Sequence, residues 1–178
     1  ICANRINGMS QQTQKFADIH SHFIFGVDDG SDNEITTLDM LSQACENNFT
    51  HLLATPHATD LTNDEVSGRF IQNFNAIQTM IEEKNLSIKI ALASELFFST
   101  KIYEWLKYPW STFNNMRKYL LFELPMFELP QHIKDFIFQC KLEGITPILA
   151  HPERYSYLSR NLDSLLEWRR QGCFLQVN

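Results

Sequence analysis

Six short apolar runs, each separated from the next by a longer segment, constrain this chain more than any other feature of its sequence. They fall at residues 16–20, 51–55, 87–94, 119–124, 145–150 and 173–177. The segments between them have helical period. Residues 34–47 carry Leu38, Leu41, Ala44 and Cys45 at helical spacing. Residues 64–84 place Val66, Phe70, Phe74, Ile77 and Ile81 on one stripe. Residues 131–143 turn Ile133, Phe136, Ile137 and Cys140 inward and stop at Gly144, and residues 161–171 stop at Gly172. Glycine just past a periodic segment is a helix C-cap signal. A shorter helix is expected at 100–107. Strands alternating with helices predict an α/β chain with a parallel sheet, open or barrel-like, and helices on its outer face.

No internal domain boundary is visible, so residues 15–178 are expected to form one domain. Residues 1–14 are polar and read as a leader, an arm or an expression remnant. The aromatic segment 109–117, with Trp110 and Phe113, suits either a rim loop beside a site or packing between helix and strand. A chain of 178 residues can bury a sizeable core. Its net charge of −6 argues against nucleic acid as the main partner, because phosphate backbones recruit basic surfaces. No stretch is apolar and long enough to cross a membrane, which makes the cytoplasm the expected location. The four cysteines, Cys2, Cys45, Cys140 and Cys173, include no CxxC pair. They read as free thiols in a reducing compartment, not as a zinc knuckle. None precedes a phosphate-binding loop that ends in arginine.

The chemistry collects where strands end. Asp18-Ile19-His20-Ser21-His22 closes the first run and is followed by Gly26-Val27-Asp28-Asp29-Gly30. Alternate strand residues face one side, so Asp18, His20 and His22 are expected to point together while Ile19 packs behind. Two imidazoles beside a carboxylate suit a borderline cation such as Mn, Fe, Zn or Co. Three further clusters repeat the pattern: Ala54-Thr55-Pro56-His57, Ala93-Ser94-Glu95 and Leu149-Ala150-His151-Pro152-Glu153-Arg154. Catalytic groups of α/β folds gather at that edge. Arg154 is the best-placed cation for a phosphoryl group, because a planar guanidinium donates to two oxygens in parallel. Glu153 either orients it or faces solvent. His51 and His132 read as peripheral. Glu123, inside the fourth run, and Glu128, in the segment after it, read at most as supporting groups.

DIHSH, FGVDDG, ATPH, the strand ending in Glu95 and LAHPERY together resemble the polymerase and histidinol phosphatase superfamily. Within it they resemble the bacterial manganese-dependent protein-tyrosine phosphatases of capsule and exopolysaccharide loci. The resemblance runs from about Lys15 to Asn178. It implies a distorted seven-stranded β/α barrel and up to three metal ions. Mn2+ is expected, with Fe, Zn, Co or Mg as alternatives. By resemblance His20 and His22 bind one ion, Glu95 bridges ions, His151 binds a second, and Asp29 and His57 match ligands of the third. Arg154 matches the arginine that contacts phosphate, and Asp18 supports the histidine pair. The implied substrate is the phosphotyrosine-bearing tail of a bacterial tyrosine kinase that controls polysaccharide synthesis. The family's further Asp-x-His motif, after a seventh strand, does not occur before Asn178. The chain is therefore expected to be C-terminally incomplete, to lack the seventh strand, to bind metal poorly and to have little activity. Two other readings compete: a small-molecule phosphatase such as a histidinol-phosphatase, and a non-catalytic binding module of the same fold.

Overall fold

The chain crosses from a smaller sheet to a larger one twice, at the two places where its sequence offers His57 and Glu95. The computed structural model describes residues 14–178, so Cys2 and nearly all of the expected leader lie outside the described residues. Three strands, β1 (Phe16–Ser21), β2 (Phe49–Ala54) and β4 (Lys89–Leu92), form a sheet in the order β1-β2-β4. Five more, β3 (His57–Ala58), β5 (Glu95–Phe97), β6 (Tyr119–Glu123), β7 (Thr146–Ala150) and β8 (Phe174–Gln176), form a second sheet in the order β3-β5-β6-β7-β8. Every pairing is parallel.

The six expected strands are therefore all present, but two of them are cut. Path β2 breaks at Thr55-Pro56 and resumes as β3, and path β4 breaks at Ala93-Ser94 and resumes as β5. Proline cannot donate to a sheet ladder, which favours a break at Pro56. The Ala93 N–H donates to the Ala54 carbonyl at 2.8 Å and the Glu95 N–H to the Pro56 carbonyl at 3.0 Å. These bonds hold the two broken paths side by side. His57 and Glu95 consequently open strands instead of ending them.

Helices connect the strands. The Asn33 side chain caps α1 (Glu34–Glu46) by accepting the Thr36 N–H, and Asn63 caps α2 (Asp64–Glu83) by accepting the Val66 N–H. The expected stripe of α2 is inward: Phe70, Phe74, Ile77 and Ile81 are buried. Two short helices, α3 (Ile102–Trp105) and α5 (Ser156–Ser159), accompany α4 (Ile133–Leu142) and α6 (Leu162–Gln171). Gly144 and Gly172 take the left-handed conformation after α4 and α6, as the sequence predicts. The core has two parts. Leu96, Phe122, Phe136, Tyr155 and Trp168 pack beside the larger sheet, and Phe23, Leu41, Leu52 and Ile77 beside the smaller. Val27 and Leu92 touch both parts and join them.

One open alternative is decided here and one expectation fails. Trp110 is 2% exposed, stacked on Tyr108 and edge-on to Phe70, so segment 109–117 packs the core at this ring and does not offer it as a rim. Ile19 is 40% exposed instead of packed behind the histidines. The register explains it: Asp18 pairs with Leu52 but Ser21 with Ala54, so three steps along β1 match two along β2. Such a bulge breaks the alternation on which the expectation rested. Cys140 and Cys173 are buried and Cys45 half-buried, all three as free thiols. No helix of the described residues is long and apolar enough to cross a membrane.

Candidate metal centre

Four imidazoles converge on one buried carboxylate. Glu95 Oε1 lies 2.7 Å from His151 Nε2. Its Oε2 lies 3.0 Å from His20 Nε2, 3.2 Å from His57 Nδ1 and 3.3 Å from His22 Nε2. Glu95 is fully buried because it opens β5 at the seam between the sheets, with Ser94 and Leu96 buried on either side. Three groups of donors each fit within 4.8 Å: His20 with His22 and Glu95, His22 with Asp29 and His57, and His57 with Glu95 and Glu123. They share members, so the donors form one continuous cluster.

The loop after β1 holds its histidines by their far nitrogens. His22 Nδ1 is 2.8 Å from Asp28 Oδ2, and His20 Nδ1 is 2.8 Å from Gln176 Oε1. Fixing Nδ1 turns each Nε2 toward Glu95, the usual way an imidazole is oriented for a metal. Asp28 also accepts the Gly30 N–H at 3.0 Å and the His57 N–H at 3.1 Å, so one carboxylate ties the loop to β3. The loop closes through the Ser31 N–H on the His22 carbonyl at 3.0 Å and the Gly26 N–H on the Ser31 carbonyl at 2.8 Å. Gly26 sits at φ +65, where a side chain is strained. Gly30 is needed for another reason: a Cβ there would lie 2.1 Å from the His22 carbonyl oxygen.

His151 follows β7 directly, at φ 35 and ψ 55, and begins the single turn Pro152–Arg154. A non-glycine residue in the left-handed region costs free energy that surrounding contacts must offset. Tyr155 supplies two: its ring lies 5.6 Å from the His151 ring, and its hydroxyl oxygen accepts the Leu124 N–H at 2.9 Å. That second bond joins HPERY to the end of β6. Arg154 lines a pocket of about 300 Å³ with His20, His22, Asp29, His57 and Glu95. Glu153 does not orient it, and instead accepts the Asn178 N–H at 3.2 Å.

Charge at the centre is strongly coupled. Burial opposes ionisation of Glu95, but the imidazoles of His151, His20 and His22 that face it outweigh burial and hold the carboxyl well below its ordinary range. Burial likewise opposes the imidazolium of His22, yet Asp28 and Glu95 raise its pKa to about 10. His57 is raised against burial by Glu123 and Glu95, and Asp28 is lowered against burial by His22 and the Gly30 N–H. Among the described residues no hydrogen bond of good geometry reaches the buried Glu95 Oε2, His57 Nδ1 or His151 Nδ1, close as Oε2 stands to three imidazoles. Each is an electron-pair donor that a cation would satisfy, and the mixed imidazole and carboxylate set is that of a divalent-metal site.

The structure thus brings together His20, His22, Asp29, His57, Glu95, His151 and Arg154. It does not bring Asp18 to them by its side chain. Asp18 Oδ1 accepts the His20 N–H at 3.0 Å, and the residue borders a different hollow, beside α1. Glu123 is a further donor that the sequence does not mark, because it lies inside the expected run 119–124 and only the fold makes it the last residue of β6. It lies 3.1 Å from His57 Nδ1 and 3.9 Å from His151 Nε2. Gln176 was missed altogether, and nothing in CFLQVN singles it out.

Residues 16–178 match the family described as capsular polysaccharide synthesis, CpsB/CapC. The chain is similar to CapC from Staphylococcus aureus, with 30% identity over 160 residues that cover 90% of this chain and 63% of that protein. It is similar to tyrosine-protein phosphatase CpsB from Streptococcus pneumoniae, with 27% identity over 161 residues, 90% of this chain and 66% of that one. The chain therefore spans just under two thirds of the length of these relatives. Its fold matches, at TM-score 0.83 and 20% identity, a chain among the crystal structures of YwqE from Bacillus subtilis and CpsB from Streptococcus pneumoniae, described as unique metal-dependent tyrosine phosphatases. The match covers 91% of this chain and 66% of that one. It makes the fold an α/β arrangement of parallel sheets resembling the barrel architecture expected from the sequence.

Proposed function

Because this chain belongs to the capsular polysaccharide synthesis family CpsB/CapC, we propose that it serves the metal-dependent hydrolysis of phosphotyrosine in a protein. The observation that carries this reading is the convergence of four imidazoles on one buried Glu95 beside an arginine-lined pocket. In this reading the six strand paths belong to a distorted seven-stranded β/α barrel. Its substrate is the phosphotyrosine-bearing tail of a tyrosine kinase that regulates capsule or exopolysaccharide synthesis, and it works in the cytoplasm. His20 and His22 would hold one ion, His151 a second, and Asp29 with His57 a third, with Glu95 a donor common to them. Manganese suits this mixed nitrogen and oxygen set.

Bound divalent ions would supply Lewis acidity, lowering the pKa of a water and offsetting phosphate charge. The chain's own residues do the rest. Asp28 and Gln176 lock the ring orientations of His22 and His20. Arg154 donates in parallel to two phosphoryl oxygens and stabilises charge as the ester bond breaks. The leaving phenolate needs little protonation. Cys140 and Cys173 are poor nucleophiles here, because burial pushes their thiols up to about 12.

The test is phosphate release from a phosphotyrosyl peptide at several manganese concentrations. It is run on this chain and on a form continued through the expected Asp-x-His pair. Manganese-dependent release that Glu95→Gln and Arg154→Ala each reduce at least tenfold is the expected result. Release from histidinol phosphate but not from the peptide would move the assignment to small molecules. No release from either substrate by folded, metal-loaded protein would leave only a binding role.

A further inference from the structure

The pocket that holds the metal donors offers a substrate's phenyl ring no aliphatic or phenyl wall. Its walls are imidazoles, carboxylates, Arg154, Gly30 and Asn178, none of them a carbon-rich side chain. A phosphotyrosyl side chain must seat its ring somewhere adjoining. A second groove, of about 620 Å³, shares Asp29 and His57 with that pocket and opens on the other side of them. Apolar side chains line it: Val27, Leu61, Val66 and Phe97.

The strand pattern puts one of these walls beside the metal donors. Glu95 and Phe97 are two residues apart on β5 and share a face, while Leu96 and Phe98 turn into the core. Phe97 pairs in register with Glu123, so its ring side follows directly from the carboxylates. Val27 precedes Asp28 in the loop that positions His22. Leu61 is 85% exposed, a large apolar side chain at the groove's outer lip. Arg69, exposed on α2, is the cation lining the groove. Near the metal donors the groove is acidic, through Asp28, Asp29 and Glu123. The groove therefore carries both signs of charge.

We infer that this groove takes the aromatic ring and flanking residues of a phosphotyrosyl peptide, with Phe97, Val27 and Val66 against the ring and Arg69 against an acidic side chain next to it. The inference rests on the tyrosine-phosphatase reading and names what selects the substrate within it.

The test is equilibrium binding of fluorescent peptides by anisotropy, with manganese-saturated protein. The peptides carry a non-hydrolysable phosphonomethyl-phenylalanine flanked by glutamates or by lysines, and each has a counterpart with plain phenylalanine. The glutamate peptide is expected to bind about tenfold tighter than the lysine peptide, as one partly exposed attraction is replaced by repulsion. Arg69→Gln collapses that ratio to near one and Arg69→Glu inverts it, whereas Arg170→Gln, on α6, leaves it unchanged. Phe97→Ala weakens both phosphonate peptides by roughly tenfold through lost aromatic contact, and circular dichroism confirms that the variant is folded. Tight phosphonate binding without charge preference, or a preference that survives Arg69→Gln, overturns the groove assignment and leaves the phosphatase reading standing. Equal binding of phosphonate and plain peptides defeats that reading and the inference together.

Discussion

Replacing Gly30 by alanine adds one methyl group, and the geometry sets what it must do. The new Cβ would lie 2.1 Å from the His22 carbonyl oxygen, 2.5 Å from its Cβ and 2.9 Å from its carbonyl carbon. Carbon meets oxygen comfortably only beyond about 3.3 Å, so the backbones must part by roughly 1.2 Å. The contacts are with backbone and Cβ, so no side chain can swing aside. The displaced carbonyl is the one that accepts the Ser31 N–H at 3.0 Å, and it would move out of hydrogen-bond range. A lost hydrogen bond of about 1 kcal/mol and overpacking of about 1–3 kcal/mol together predict roughly 2–4 kcal/mol of destabilisation. For a chain of this size that is a fall of about 5–15 °C in melting temperature. The same shift moves His22, whose Nε2 stands 3.3 Å from Glu95, far beyond the ~0.2 Å tolerance of metal ligation. Manganese affinity measured by calorimetry should fall at least tenfold. Gly68 provides the internal control: it lies in α2 with nothing within 4 Å of an added Cβ, so Gly68→Ala should raise stability by about 0.5–1 kcal/mol. A Gly30→Ala protein that melts with the wild type and binds manganese equally well would refute the argument.

Glu95→Gln removes the charge that four imidazoles face, so EDTA should lower the melting temperature of the metal-loaded wild type and leave this variant's unchanged; an equal response in both would contradict Glu95's place in the centre. The metal-free protein should lose stability in alkali. His22 titrates near 6.5 unfolded and about 10 folded, so its contribution is complete below pH 6.5 and decays as pH rises through 10. Glu95, lowered on folding, contributes above its ordinary value of 4.5 and loses that contribution as pH falls below it. Urea unfolding across this range should therefore show a plateau between the two limbs, and a stability that keeps rising above pH 7 would contradict it. Tyr155→Phe leaves the buried Leu124 N–H without its acceptor and should cost about 1–3 kcal/mol by urea unfolding. A neutral result would mean that another group satisfies that N–H.

What the sequence made legible follows from which interactions are local. The helices of residues 34–47 and 64–84 could be read because burial on one stripe repeats every few residues, and Asn33 and Asn63 cap them within one turn. Single ligand-type residues after apolar runs were legible for the same reason. His151 and Glu95 are 56 positions apart, yet each is marked by its own neighbours. The sheet break was hidden because it arises between strands: Pro56 hints at it, but only the bonds from Ala93 and Glu95 to the other path show that both paths bend together. The bulge in β1 was hidden likewise, since the shift belongs to its pairing with β2. Trp110 left two readings open because an aromatic residue in an irregular segment looks the same whether it faces solvent or Phe70. Glu123 and Gln176 show where such reading stops. A carboxylate at the end of β6 becomes a donor only because Phe97 pairs with it, and Gln176 matters only because β8 carries it to His20, 156 residues away. Residues chosen for their own chemistry can be picked out one at a time, whereas residues that position them are defined by register, and register is a property of the folded sheet.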